Sequence, residues 1–237
     1  MKTKILLPLI ALTLALIPSA QTSASSFYNT GSVGVDVSYP NCGAKLGKSA
    51  FGIVGVTGGL VYSHNPCLAD QAKNFSDLSL YINTGLNATS SSPYYTQALA
   101  ACDGDANCAA YTYGHNAALD ALSYAATEGV SSERWWLDVE LENTWDEDVY
   151  LNQRSLQGAY DALKQNGAAM VGAYSTTAQW GIITGGWQND WPNWGATTWA
   201  KVSQAKKYCQ GHEFTGGPTL LIQFQDRKSK LDSNVAC

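Results

Sequence analysis

Two carboxylates one residue apart, Asp138 and Glu140, stand at the end of the apolar run Trp135-Trp136-Leu137-Asp138-Val139-Glu140. On an extended strand residues i and i+2 face the same side, so the two acids project together while Val139 faces away. Such neighbours can divide acid–base work, because each charge raises the other's pKa and keeps one carboxyl protonated near neutrality. Breaking a glycosidic bond needs that division: one carboxyl protonates the leaving oxygen and a second carboxylate stabilises or captures the positive sugar centre. Taken alone the pair also fits a solvated acidic edge, since Glu142, Asp146, Glu147 and Asp148 follow. Asp36, in Gly34-Val35-Asp36-Val37-Ser38, closes a second short apolar run. An isolated aspartate there is often a turn residue, but three acids at two strand ends are more specific than either part.

The elements that must position these acids can be read from short apolar runs. Strands are expected near Val33 to Val37, Gly52 to Val56, Leu78 to Ile82, Trp135 to Val139, Ala169 to Tyr174, Thr197 to Ala200 and Leu220 to Phe224. Several are almost continuously apolar, as strands covered on both faces are. Helices are expected at Ala109 to Glu128 and Asn152 to Gln165; in the second, Leu156, Ala159, Tyr160 and Leu163 recur at helical spacing and Asn166-Gly167 supplies a stop. Strand, helix, strand is the rhythm of an α/β fold with a parallel sheet or barrel. In a parallel barrel, active sites lie at the C-terminal ends of the strands, where all three acids would fall. From Ala196 onward there is little room for helices, so a barrel here is irregular in its second half.

The first 24 residues, with Lys2 and Lys4 before an apolar run from Ile5 to Ile17 and small residues after it, read as a secretory leader. The remainder, 25–237, reads as one domain in which no linker is visible. The whole chain carries 14 basic and 19 acidic side chains, a net charge of −5; without Lys2 and Lys4 the balance is 12 against 19, near −7. That argues against nucleic acid as a partner. No membrane attachment is expected after leader removal, and the protein is expected to act as an extracellular monomer.

All six cysteines (42, 67, 102, 108, 209 and 237) lie beyond the leader, and an even count in an exported chain reads as disulfides. Of the fifteen possible pairings, the sequential one closes three modest loops and is the expectation: Cys42–Cys67, Cys102–Cys108 and Cys209–Cys237. The spacing has no metal signature, and no zinc site is expected. His64, His115 and His212 are scattered and read as surface or locally bonded residues. Ser175-Thr176-Thr177 lacks the G-x-S-x-G elbow of a nucleophile. Residues 185–199 spend four tryptophans, Trp187, Trp191, Trp194 and Trp199, among turn residues. The patch reads equally as a packed mini-core and as ring faces offered to a sugar; in the second reading Trp199 belongs to a substrate site. Asn74-Phe75-Ser76 and Asn87-Ala88-Thr89 fit the N-glycosylation pattern.

In this order along nearly the whole mature chain, the pieces resemble glycoside hydrolase family 25, the lysozymes or muramidases that cleave between N-acetylmuramic acid and N-acetylglucosamine. Gly34-Val35-Asp36-Val37-Ser38 looks like that family's G-x-D-V-S strand and Trp136-Leu137-Asp138-Val139-Glu140 like its apolar-D-V-E strand. Val171-Gly172-Ala173-Tyr174-Ser175 resembles its G-x-Y strand, Ile222-Gln223-Phe224-Gln225 its Q-Y strand, and Leu231-Asp232-Ser233-Asn234 its closing V-D-x-N. The resemblance implies an irregular, TIM-like (β/α)5(β)3 barrel, with Glu140 as general acid and Asp138 supporting the substrate's N-acetyl group or the developing cation. It puts Asp36 in the same catalytic cleft, with Tyr81, Asn83, Tyr174, Gln223 and Asp232 as substrate-binding residues. It also implies net retention with the substrate's acetamido group as nucleophile, no cofactor, and peptidoglycan as the polysaccharide partner.

Two stretches depart from the family. Gly55-Val56-Thr57-Gly58-Gly59 stands where K-A-T-E-G is usual, and Tyr81-Ile82-Asn83 where Y-H-F is usual. Two other functions therefore stay open: a glycan-binding protein on a degenerate barrel, and a hydrolase of another polysaccharide.

Overall fold

The structure is a computed structural model, and it describes residues 27–226 and 231–237; the leader read at 1–24 lies outside them. Eight strands close a barrel in sequence order: β1 (Val33–Val37), β2 (Gly52–Gly55), β3 (Leu78–Asn83), β4 (Arg134–Asp138), β5 (Met170–Ser175), β6 (Asn193–Thr197), β7 (Thr219–Phe224) and β8 (Asp232–Ala236). Neighbours from β1 to β7 run parallel. β8 closes the ring antiparallel to both β7 and β1. This is the irregular α/β barrel expected from the sequence. The helices are α1 (Leu68–Ala72), α2 (Pro93–Ala101), α3 (Ala106–Thr127), α4 (Val149–Gln165), α5 (Thr177–Thr184) and the single turn α6 (Val202–Ala205).

Strand alternation separates two apolar layers. Phe51, Ile53, Trp136, Tyr174, Trp194 and Leu221 fill the barrel's interior. Val54, Leu80, Trp135, Leu137, Val171 and Ala173 face outward and meet Leu68, Ala118, Ala121, Leu156 and Leu163 from the helices. Along β4, Trp135 and Leu137 therefore serve the outer layer, and Trp136 and Asp138 the inner one. That is why an acid can end a strand whose three preceding residues are all core.

The long helices α3 and α4 cross closely because each contributes a glycine. A Cβ on Gly114 would lie 1.9 Å from the Ser155 carbonyl oxygen, and one on Gly158 2.0 Å from that of Tyr111. The side chain of Asp148 accepts from Tyr150 N at 2.9 Å and caps α4, while that of Asp146 accepts from Asp148 N at 2.9 Å. The acids after Glu140 thus include the device that starts a helix.

Sequence and structure differ at three places. β6 is Asn193–Thr197, not Thr197 to Ala200. Asn and Gly are poor strand formers, and the segment is held by pairing on both sides, to β5 and, through a register shift, to β7. The short helices α1, α2, α5 and α6 had no clear period in the sequence. Of the tryptophan patch, Trp191 and Trp194 are buried and Trp187 is packed edge-on to Trp191 at 5.1 Å. For these three the packed reading holds, and Trp199 alone is exposed. All three disulfides form as expected: Cys42–Cys67, Cys102–Cys108 and Cys209–Cys237.

Candidate active site

At the C-terminal end of the strands, acids from β1, β4 and β8 meet. Asp138 is buried at the last position of β4. Asn83, its cross-strand partner on β3, donates Nδ2 to Asp138 Oδ2 at 2.5 Å. Asn83 is itself held by Thr57, whose hydroxyl donates to Asn83 Oδ1 at 2.7 Å and accepts from Asn83 N at 2.9 Å. The other carboxylate oxygen, Asp138 Oδ1, is buried and receives no donor. The charge of Glu140, two residues on, acts on this buried carboxyl.

The electrostatics favour the protonated forms of both carboxyls. Asp138 is raised well above the ordinary aspartate range, by burial first and then by the charge of Glu140 and the hydrogen bond to it. Glu140 is also raised, by burial and by Glu142; hydrogen bonds from Asp138 and Gln179 work against that rise. Both carboxyls are therefore held protonated to higher pH than isolated ones would be. Gln179, in α5, also accepts from Leu141 N at 2.6 Å, which fixes the backbone just beyond Glu140.

Asp36 is organised from the opposite side of the barrel. Asn234 Nδ2 donates to Asp36 Oδ2 at 2.6 Å, and Gln223 Nε2 lies 3.2 and 3.3 Å from the two carboxylate oxygens. Both amides are aimed by aromatic residues, since Tyr174 OH donates to Gln223 Oε1 and Trp194 Nε1 to Asn234 Oδ1, each at 2.8 Å. Burial and the charge of Asp232, its partner in the β1–β8 register, push Asp36 up to about 7 against these hydrogen bonds. Asp232 itself sits exposed on the rim and is raised by partial burial.

The phenols of Tyr81 and Tyr174 are both held above the usual tyrosine range, by burial first; Asp36, Asp138 and Glu140 add to the rise in each. Tyr81 also hydrogen-bonds to Ser38 and packs over Gly55, where a Cβ would lie 2.7 Å from its ring. The charges of Asp36, Asp138 and Glu140 thus act on one another and on the same two phenols.

Eight of the nine residues singled out from the sequence gather here: Asp36, Tyr81, Asn83, Asp138, Glu140, Tyr174, Gln223 and Asp232. Trp199 does not join them. It lies on the loop after β6, beside a cavity of about 720 Å³ whose lining includes Phe224 and Asp226 but none of the four acids. Sequence reading missed Thr57, Gln179 and Asn143, whose Nδ2 donates to Asp138 O at 3.1 Å. Thr57 stood in the departing second-strand stretch, where its hydroxyl was the remaining polar signal. Asn234 was visible only as the last letter of a motif. The hydroxyl of Ser175 is buried and donates to Val139 O at 2.7 Å, so it supports β4 and is closed to substrate.

Comparisons with known proteins bear on the fold that carries these residues. Residues 106–211 match the family model described as Lys-1, lysozyme-like protein 1, a span that contains Asp138 and Glu140. Among curated proteins no sequence matches significantly. Among solved structures, the bacterial lysozyme from Streptomyces coelicolor is similar at 15% identity and TM-score 0.53, over 88% of this chain and 93% of that one. A muramidase from Trichobolus zukalii is similar at 16% and 0.51, over 87% and 93%. A glycosyl hydrolase 25 of Streptococcus pneumoniae is similar at 14% and 0.51, over 87% of each chain. The barrel expected from the strand-end motifs is therefore borne out: the chain has the fold of these lysozymes and muramidases, and its middle is similar to a lysozyme-like family.

Proposed function

We propose that the protein is a secreted retaining glycoside hydrolase, a muramidase that cleaves the N-acetylmuramic acid to N-acetylglucosamine linkage of peptidoglycan. The observation that carries the reading is the gathering of Asp36, Asp138, Glu140 and Asp232 at one rim of the barrel, where burial and mutual charge raise them. In this mechanism Glu140 gives its proton to the leaving glycosidic oxygen as the bond to the anomeric carbon breaks. The carbonyl oxygen of the substrate's own acetamido group bonds to that carbon, and Asp138, ionised, accepts from the acetamido N–H and offsets the positive charge that develops. Water then opens the cyclic intermediate on the same face, losing a proton to Glu140, and the configuration is retained. Burial keeps Asp138 and Glu140 coupled, so that ionising Asp138 against the acetamido group leaves the proton on Glu140.

The lysozyme and muramidase among the similar structures support the substrate class, and the pairing of all six cysteines supports an oxidising, extracellular place of action. With the leader removed, residues 25–237 act as one barrel domain and a monomer. Thr57 and Asn83, in the two stretches that depart from the family, are tied to Asp138 itself. That supports turnover over a decayed, purely binding cleft.

The test is release of reducing ends from peptidoglycan and from a panel of other polysaccharides by the native protein and by Glu140→Gln. Cleavage of peptidoglycan that falls about a hundredfold or more in the variant is expected for loss of a general acid. Equal cleavage by both proteins would reassign the acid. Cleavage of a different glycan would replace the substrate, and binding without cleavage of any glycan would replace the enzyme by a lectin-like function.

A further inference from the structure

Between β2 and α1 the chain makes a short excursion over the rim beside β3 and β4. Its neck is closed by Asn65, whose N donates to Val56 O at 2.9 Å and whose Nδ2 donates to Gly55 O at 2.8 Å. Inside it, Ser63 Oγ accepts from Gly58 N and Leu60 N at 2.9 and 3.1 Å. The Cys42–Cys67 disulfide pins its end, and Cys102–Cys108 joins the end of α2 to the first turn of α3. The excursion is thus braced rather than loose.

At its tip, Tyr62 adopts φ +60°, a region bulky residues seldom enter. Such strain persists where the surroundings over-determine it, and it concentrates at ligand sites. Tyr62 OH donates to Tyr113 O at 2.7 Å, and the ring meets Tyr113 edge-on at 5.2 Å. The Tyr62 ring then lies flat against Tyr94, 3.7 Å between centroids and 2° between planes. Tyr94, near the start of α2, is consequently held rigid with one face covered while 46% of the residue stays exposed. Leu60, 60% exposed, stands nearby.

Tyr94 and Leu60 border a hollow of about 240 Å³ whose other walls carry Asn87, Ser91 and Asn143. Asn143 links the hollow to the reacting acids: its N donates to Glu140 O and its Nδ2 to Asp138 O, each at 3.1 Å. A fixed aromatic face, an exposed aliphatic side chain and several amide and hydroxyl groups suit a ligand with an apolar face and a polar edge. A pyranose ring has both.

We propose that this hollow is an accessory subsite for an N-acetylhexosamine unit of the same glycan chain, remote from the scissile bond, with the open face of Tyr94 as its stacking platform. The inference rests on the glycosidase reading, because continuity with the acids is what makes the occupant a further unit of the substrate. Its consequence is a preference for long chains over short ones.

The experiment uses peptide-free peptidoglycan strands sorted by length. The ratio of kcat/KM for long over short strands is measured for the native protein, Tyr94→Ala, Tyr94→Phe and Leu60→Ser. Binding of the same strands is measured in the Glu140→Gln background with and without Tyr94→Ala. Tyr94→Ala is expected to lower the long-to-short ratio about three- to tenfold, the size of one aromatic contact, through KM. Tyr94→Phe is expected to keep the ratio and Leu60→Ser to lower it less. Thermal unfolding of each variant checks folding, and should Tyr94→Ala not fold, Leu60→Ser decides. A native ratio near one, or a ratio unchanged by both truncations, overturns the subsite while leaving the muramidase reading intact. If the native protein cleaves nothing but Glu140→Gln still binds long strands in a Tyr94-dependent way, the hydrolase reading falls and the subsite stands.

Discussion

At the scale of single residues, the acids are distinguished by what holds them. Asp36 receives side-chain donors from Asn234 and Gln223 and still rises to about 7 from 3.8, because burial and Asp232 outweigh them. An acid whose folded pKa lies above its unfolded value binds protons more tightly in the folded state, so its ionisation opposes folding. Both states are protonated below about pH 4; between there and about pH 7 only the folded state keeps the proton. This residue's contribution to stability therefore falls as pH rises through that window. Asp36→Asn removes the titration: its thermal midpoint relative to the native protein is expected to climb from pH 4 to pH 7 and then level off. A flat difference across that range, read by calorimetry, would show that Asp36 ionises freely. The sequence made these acids legible because strand parity and strand-end position are local properties. Their holders were not legible. Thr57 lies 26 residues from Asn83, and Asn234 lies 198 residues from Asp36; nothing in the local pattern joins them, and only closure of the barrel does.

At the scale of elements, legibility followed the strength of the period. β1 stands where its short apolar run put it, and α4 shows its apolar stripe in Leu156, Ala159 and Leu163. β6 was misplaced because its residues are chosen for the barrel's interior and turns, Trp194 for the core and Asn193 for hydrogen bonds to the Gly217 and Pro218 carbonyls, rather than for strand propensity. α2 opens on Pro93-Tyr94-Tyr95, which reads as a turn; Ser92 Oγ, accepting from Tyr95 N, makes it a capped helix. The α3–α4 crossing is the most demanding contact between elements. Gly158→Ala places a methyl carbon against backbone, where no rotamer can relieve it, and should cost about 1–3 kcal/mol through overpacking. Urea unfolding is the measurement. Because α4 packs against β4 and is joined to it by the loop that carries Glu140, the same substitution should also weaken glycan cleavage more than an alanine substitution on the exposed face of α4.

At the scale of the whole molecule, the closing strand carries much of the design. β8 supplies Asp232 and Asn234 and completes the ring between β7 and β1, and Cys237 just after it is tied to Cys209 across 28 residues. Closing a loop of that length stabilises the fold by about 3–4 kcal/mol on the chain-entropy estimate. Replacing both cysteines by alanine should lower the unfolding free energy by about that amount, and activity should be lost on heating before it is lost in the native protein; unchanged denaturant midpoints would assign the strand's hold to packing alone. There is also an order in time. A chain emerging from the ribosome displays Asp36 first, Asp138 and Glu140 midway, and Asn234 only with the final strand. A nascent chain that has released seven strands holds Asp36, Asp138 and Glu140 and lacks Asp232, the amide of Asn234 that aims Asp36, and the wall between β7 and β1. The four acids are thus assembled only once β8 has entered the ring between β7 and β1.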